Sequence, residues 1–310
     1  MQKQPSGTRS EPTVLAPVSN ETEETLQSGE LQSGDLVLLV DVKGRRYLIN
    51  LEPDGEYHSH AGFVRHSDII GKVEGSQVAT TKGQKFRAFR PSLHDYVLQM
   101  KRGAQVIYPK DLAAILMLAD IYPGARVFET GIGSGAMSMA LLRAGATIVG
   151  YEVREDFAAR AKKNVFGFMG QDVADRYEVH IADAYAGIGP GLPGMPLHGP
   201  LFDRFVLDLP EPWQVLEHAP KALRSGGIVV AYTPSITQAQ QVRHLLADGA
   251  YDEISTTEVL HRTWHIEGQA VRPDHRMVGH TAFLTRGRLI GPNVNSEKAA
   301  VQNDTDTSAR

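Results

Sequence analysis

The chain has 310 residues, a net charge of −4 and no cysteine, so disulfides, thiolate metal centres and a cysteine nucleophile are excluded by composition. A hydrophobic fraction of 42% with 22% charged residues is ordinary globular composition. No apolar run reaches the roughly 18 residues of a membrane helix, and residues 1–34 lack the basic-then-apolar order of a signal peptide. A cytoplasmic protein without membrane contact is expected.

Charge is unevenly spread: residues 1–34 carry an excess of acids, and residues 35–110 an excess of lysine and arginine. Residues 1–33 are rich in Ser, Thr, Glu, Pro and Gln with few apolar side chains, too few to offset the entropy of ordering. They read as a disordered tail, as do residues 291–310.

Residues 34–91 read as a small all-β domain. Leu36 to Asp41 has strand composition, Lys43-Gly44 suits a hairpin turn, and Arg45 to Asn50 continues as a second strand. Short strand-like pieces follow at Gln77 to Thr80 and Lys85 to Phe89. His58, His60 and His66 invite a metal reading, but without Cys or a Glu-x-x-His pattern no metal site is expected. Arg45, Arg46, Arg65, Lys82, Lys85, Arg87 and Arg90 could face RNA, or simply solvate a surface.

From residue 92 to 290 strands alternate with helices, which predicts an α/β domain built on a mostly parallel sheet. A helix over Asp111 to Ala119 precedes a strand at Arg126 to Thr130, a helix at Ala136 to Arg143, a strand at Thr147 to Val153 and a helix from Asp156. Further strands are expected at Tyr177 to Ile181, Phe202 to Leu207 and Gly227 to Tyr232. The last two, near Glu253 to Leu260 and Thr281 to Thr285, are joined by a Gly- and Pro-containing connection without helical period. That ending predicts an antiparallel pair, a feature of Rossmann-like class I methyltransferases and not of dinucleotide dehydrogenases.

Glu129-Thr130-Gly131-Ile132-Gly133-Ser134-Gly135 lies between a strand and a helix, at the edge where open α/β sheets bind ligands. The spacing is G-x-G-x-G with an acid ahead, whereas a dinucleotide fingerprint is G-x-G-x-x-G over a pyrophosphate. A cationic sulfonium tolerates a carboxylate at Glu129 that a phosphate would not, so the motif favours S-adenosyl-L-methionine over NAD. Glu152, ending the second strand, is placed for ribose hydroxyls, and Asp183, ending the third, for the adenine amino group. Met139 is read as core packing, while Met137 can reach the cofactor.

Asp208-Leu209-Pro210-Glu211-Pro212-Trp213 follows the fourth strand. An acid, two prolines and an indole make a stiff platform on which a planar base could stack while a carboxylate meets its edge; alternatively Trp213 is a half-buried core residue. Asp208 is the expected catalytic residue. By accepting a hydrogen bond from an exocyclic amino group it would raise electron density at ring N1 and offset the growing positive charge.

With Gln105-Val106-Ile107-Tyr108-Pro109-Lys110-Asp111 and Arg272-Pro273-x-His275-x-Met277-x-Gly279-His280-Thr281 added, the chain resembles the bacterial and archaeal tRNA (adenine-58-N1)-methyltransferases, over about Gly34 to Leu289. The resemblance implies a small N-terminal β-domain, a homotetramer, tRNA as substrate and methylation of N1 of a T-loop adenine. By position it places Ser134, Gly135, Ala136, Met137, Glu152, Phe157, Asp183 and Asp208 at the cofactor, with Gln105, Glu129, Gly131 and Gly133 completing that set. Tyr108 joins Asp208 at the reacting centre, either stacking there or packing as a buried tyrosine, and His280, Trp213, Arg45 and Arg46 are expected at the substrate. Two departures stand out: a Gly/Pro-rich insertion at 187–200, and Glu-Thr-Gly where relatives often have Glu-Ala-Gly. Two rivals remain open, a methyltransferase for a small molecule or protein carboxylate and a non-catalytic RNA-binding subunit; all four acids Glu129, Glu152, Asp183 and Asp208 count against the second.

Overall fold

The computed structural model describes residues 29–103, 105–195 and 202–291. They form two compact units that divide after Pro91.

The first unit contains β1 (Leu36–Asp41), β2 (Arg46–Asn50), β3 (Glu56–Ser59), β4 (Gly62–Arg65), β5 (Gln77–Ala79) and β6 (Lys85–Phe89). Four of them make an antiparallel sheet in the order β2-β1-β6-β5, while β3 and β4 form a separate hairpin. Alternation along the strands sends Val37, Leu39, Phe86 and Ala88 into one core. Leu31 is also fully buried there, and Glu30 bridges to Val73, so residues 29–33 belong to this unit and not to the tail in which composition put them. One well-buried leucine outweighs a polar neighbourhood. Residues 1–28 and 292–310, expected as tails, lie outside the described residues.

The β1–β2 turn is held by Asp41, whose carboxylate accepts from the backbone of Lys43 and Arg45 and from the Arg45 guanidinium at 2.6 Å. The histidines sit apart in role: buried His66 accepts a hydrogen bond from Glu52 N through Nδ1, whereas His58 lies beside the Glu56 carboxylate and the Phe63 ring.

The second unit begins with α1 (Leu93–Gln99), a helix not expected from the sequence, started by a capping box between Ser92 and Asp95. Then come α2 (Pro109–Leu118), β7 (Arg126–Thr130), α3 (Ala136–Arg143), β8 (Thr147–Glu152), α4 (Glu155–Met169), β9 (Tyr177–Ile181) and β10 (Phe202–Leu207). They are followed by α5 (Pro212–Leu216), β11 (Leu223–Thr233), α6 (Ile236–Asp248), β12 (Tyr251–Glu258), β13 (Trp264–Glu267), β14 (Ala270–Pro273) and β15 (Phe283–Leu289). Seven strands form one sheet in the order β12-β15-β11-β10-β7-β8-β9. Its central strands run parallel, and β15 pairs antiparallel with both β11 and β12. This is the expected class I methyltransferase topology. Beyond expectation, the connection between β12 and β15 folds into its own two-stranded hairpin, β13–β14, which carries exposed Trp264, Ile266 and Val271.

The central strands read as continuous apolar runs because helices cover both faces: Val127, Phe128, Ile148, Phe205, Val206, Val229 and Val230 are all essentially inaccessible. The chain leaves β7 toward β8 on one side and returns to β10 on the other. That reversal opens a crevice at the carboxyl ends of the strands.

Candidate active site

The glycine turn after β7 is shaped by backbone demands. Gly131, Gly133 and Gly135 all have positive φ (78°, 57° and 81°), a region that side-chain-bearing residues adopt at a cost. Gly135 caps the start of α3, where an added Cβ would press on Ala161 and Val165 of α4 at 3.1–3.3 Å. Buried Asn164 of α4 fixes the turn from below, donating to the carbonyl oxygens of Ser134 at 3.0 Å and Lys101 at 3.3 Å. Ala136 and Met137, in the first turn of α3, are buried behind it.

The four acids occupy distinct positions around the turn. Glu152, at the end of β8, accepts from Gly133 N at 3.1 Å and from Arg154 N at 3.0 Å. Each carboxylate oxygen has a second lone pair, so two ribose hydroxyls can still be received. Asp183, exposed after β9, has one oxygen engaged by Tyr185 N at 2.9 Å. Asp208 is half-buried at the end of β10, with its N–H donating to Thr130 O at 3.0 Å. Burial, and then the nearby Glu152 charge, push its carboxyl up to about 7.

Glu129 lies deeper than the other three. Its carboxylate, 2% exposed, accepts a hydrogen bond from Ser138 Oγ at 2.8 Å; Ser138 in turn accepts from Tyr177 at 3.3 Å. Burial chiefly, with the Asp208 charge adding to it, raises Glu129 to about 8. It is a buried acid that ties α3 to the end of β7. The side chain after it is Thr130, at the crevice wall.

A cavity of about 220 Å³ runs from Thr130 and Gly131 past Glu152 to Asp183, and is closed on the far side by Leu209 and Pro210. Tyr185 ties two of its rims together, its hydroxyl accepting from Glu211 N at 3.1 Å. The 187–200 insertion packs inward where it is described: Ile188 and Met195 join the hydrophobic core, and Pro193 O accepts from Tyr151 at 2.6 Å. Phe157 is half-buried, with the Arg154 guanidinium 3.6 Å above its ring. Gln105 is exposed in the segment leading to α2.

Trp213, in the first turn of α5, packs against the main hydrophobic cluster, so one side of its indole is committed to the core. His280 uses both ring nitrogens, toward Glu258 and the Pro234 carbonyl, each at 2.7 Å. Those two acceptors, Pro234 first, hold its pKa above the ordinary value. It clips the end of β12 to the turn after β11. Arg45 is engaged by Asp41 as described above, and Arg46 is exposed at the start of β2.

Two features escaped the sequence reading. Lys110 Nζ, almost fully buried, donates to Asp111 at 2.8 Å, Val259 O at 2.7 Å and Thr281 Oγ1 at 2.6 Å, and Thr281 donates on to Asp111 at 2.6 Å. The cluster joins the start of α2, the end of β12 and the approach to β15. Next to it is Tyr232, buried at the end of β11, whose hydroxyl is raised by burial and then by the charges of Asp208, Asp111 and Tyr108. The motif around residues 107–111 contained this signal, but a lysine beside an aspartate reads from sequence as a solvated pair.

The fit to S-adenosyl-L-methionine rests on the donor set: a cradle of backbone that tolerates no Cβ at Gly131, with carboxylates and no cationic side chain on the described walls of the cavity. Carboxylates suit ribose hydroxyls, an amino group and a sulfonium, and they repel a pyrophosphate.

Residues 88–281 match the family described as tRNA methyltransferase complex GCD14 subunit, and residues 29–78 match the TrmI-like N-terminal family. The tRNA (adenine(58)-N(1))-methyltransferase TrmI of Thermus thermophilus is 36% identical over 251 residues, covering 80% of this chain and 94% of the relative. The tRNA (adenine(57)-N(1)/adenine(58)-N(1))-methyltransferase TrmI of Methanocaldococcus jannaschii is 33% identical over 81% of this chain and 94% of its own length. Among solved structures, a SAM-dependent O-methyltransferase from Thermotoga maritima superposes with a TM-score of 0.78 at 30% identity, covering 86% of this chain and 97% of the other. The tRNA (m1A58) methyltransferase TrmI from Aquifex aeolicus superposes with a TM-score of 0.73 at 26% identity, covering 85% and 100%. Fold, glycine cradle and sequence agree: the chain belongs to the GCD14/TrmI family of S-adenosyl-L-methionine-dependent tRNA methyltransferases.

Proposed function

We propose that the chain methylates N1 of an adenine in the T-loop of tRNA, at position 58. The observation that carries this reading is Asp208, a half-buried carboxyl raised to about 7, seated against the glycine cradle at the carboxyl end of β10. The names of the relatives that match over most of this chain support the substrate.

When bound, S-adenosyl-L-methionine supplies a methyl group on a positively charged sulfur. The turn from Gly131 to Met137 receives the amino-acid part, Glu152 the ribose, and Asp183 the adenine amino group, with Phe157 and Gln105 flanking. Neutral adenine carries a lone pair at N1, so no proton has to leave before transfer. Asp208, ionised, accepts a hydrogen bond from the exocyclic amino group of the acceptor and stabilises the cation that forms there. Most of the acceleration comes from holding acceptor and donor in line, which falls to the rigid backbones on either side of Gly131. Tyr108 and Trp213 flank the acceptor. Contacts of Arg45 and Arg46 with tRNA, assembly as a homotetramer and a cytoplasmic location belong to the same reading. Among the described residues no helix is long and apolar enough to cross a membrane.

Incubation with unmodified tRNA followed by mass spectrometry of the nucleosides tests it, with 1-methyladenosine expected and transcripts altered at position 58 left unmethylated. Asp208→Ala is expected to lower turnover by a factor of about 100 or more while affecting cofactor affinity less. Unchanged turnover removes Asp208 from the mechanism. The Thermotoga maritima neighbour motivates a second reading, transfer to oxygen, which the same assay rejects or supports by the nucleoside it yields.

A further inference from the structure

We propose that the cavity on the far side of Tyr108 is a second RNA subsite, which takes the nucleotide next to the acceptor adenine. This rests on the RNA reading above and adds a specific position to it.

The cavity measures about 330 Å³ and lies at the root of the β13–β14 hairpin, between α1, the start of α2, and the two stretches of chain that enter and leave the hairpin. Three properties point to a nucleotide. Its walls carry no carboxylate. They do carry Arg276, which is exposed and has no hydrogen-bond or ion-pair partner among the described residues. An unpaired guanidinium beside a concave surface is suited to a phosphate, which it can grip through two parallel hydrogen bonds.

The rest of the lining is apolar or planar. Met277 and Val278 are 42% and 48% exposed, and they share the cavity lining with Leu98 and the aromatic Tyr108. Unpaired bases are held in this way, by stacking on aromatic and apolar side chains with a cation on the backbone. His94 and His261 add hydrogen-bonding groups at the edge. A protein partner would use the apolar wall but gain nothing from an acid-free lining.

Position links the cavity to the chemistry. Tyr108, expected at the reacting centre, lines it together with Lys110 of the Asp111–Thr281 cluster, which follows Tyr108 directly in the chain. Lys110 is spent on Asp111, Val259 and Thr281, which leaves Arg276 as the cation for the RNA. Tyr108 acts as a partition: the acceptor base lies on the Asp208 side and its neighbour on the Arg276 side.

The test measures methylation kinetics and binding of an unmodified tRNA transcript to the full chain with S-adenosylhomocysteine, over a salt series. Arg276→Ala is expected to raise KM for tRNA about tenfold and to reduce the slope of log K against log salt by about one, with kcat and cofactor affinity within about twofold. Val278→Trp, which fills the cavity, should raise KM with the salt slope unchanged. An unaltered KM in Arg276→Ala, or a changed sedimentation profile with an unaltered slope, overturns the proposal; the latter result marks the cavity as a contact between copies of the chain. A wild-type protein whose tRNA binding depends on Arg276 but which forms no 1-methyladenosine overturns the reaction assignment and leaves the subsite standing.

Discussion

A β-carbon on Gly131 would lie 1.8 Å from the carbonyl oxygen of Asp208. The loops after β7 and β10 thus touch backbone to backbone, and the 3.0 Å bond from Asp208 N to Thr130 O holds them there. The glycine cradle and the carboxylate proposed as catalytic are parts of one junction. Gly131→Ala adds a methyl group into that contact and strains a positive φ, so a loss of about 2–4 kcal/mol of stability is expected. Urea unfolding measures it, and calorimetry should show cofactor affinity falling as well; wild-type affinity in a folded Gly131→Ala protein would mean that the two loops can separate without consequence.

Two raised carboxyls give the molecule a distinctive pH dependence. In the folded chain Glu129 and Asp208 are pushed up to about 8 and about 7, from ordinary carboxylate values of 4.5 and 3.8. The folded state therefore binds more protons than the unfolded state between those limits. The stability from these groups is complete below about pH 4 and is lost as pH rises toward 8, by up to about 1.4 kcal/mol per pH unit for each group. Glu129→Gln should flatten the upper part of the curve in denaturation at several pH values. Activity runs the other way: kcat/KM rises as Asp208 ionises through about pH 7. A cation bound beside Asp208 draws its proton off, so cofactor binding at pH 7 should release protons, visible as a dependence of binding heat on buffer ionisation.

The fold was legible because its signals are local. Unbroken apolar strands, a glycine turn with the wrong spacing for a pyrophosphate and an unhelical final connection each rest on a few adjacent residues, and they led to the sheet that forms. What was hidden depends on contacts between distant segments. Glu129 stands out in sequence because it precedes the glycines, but its bond to Ser138, nine residues on, shows only in the fold. Asp208 is fixed by its place at a strand end, whereas the bonds of His280 to Glu258 and Pro234 arise only when β11 and β12 lie on either side of β15. Trp213 illustrates the limit of composition, since a half-buried indole and a stacking platform have the same neighbours in sequence.

Glu152 holds the glycine turn and, in the proposed reading, also receives the cofactor's ribose. Glu152→Ala removes the acceptor for Gly133 N and Arg154 N as well as the ribose partner. Hydrogen bonds to a charged group contribute about 1.5–3 kcal/mol, so the cofactor Kd should rise about 10- to 100-fold. The same substitution deletes the charge that helps to raise Asp208, and the acid limb of the kcat/KM profile should move to lower pH. A weakened Kd with an unmoved acid limb would show that Glu152 and Asp208 do not interact.

Lys110 is the sharpest test of how the hairpin arm is held. Its ammonium joins Asp111, Val259 O and Thr281, so both ends of the excursion that contains β13 and β14 are gathered at the start of α2, next to Tyr108. Lys110→Met leaves Asp111 buried with only Thr281 as a donor, and breaking a buried pair from one side costs about 3–5 kcal/mol. Lys110→Met with Asp111→Asn removes both charges and should recover much of that loss in a double-mutant cycle. Limited proteolysis should also cut residues 259–281 faster in the single variant. If the single variant unfolds like wild type, the arm is held by packing, and the buried ion pair is not what anchors it.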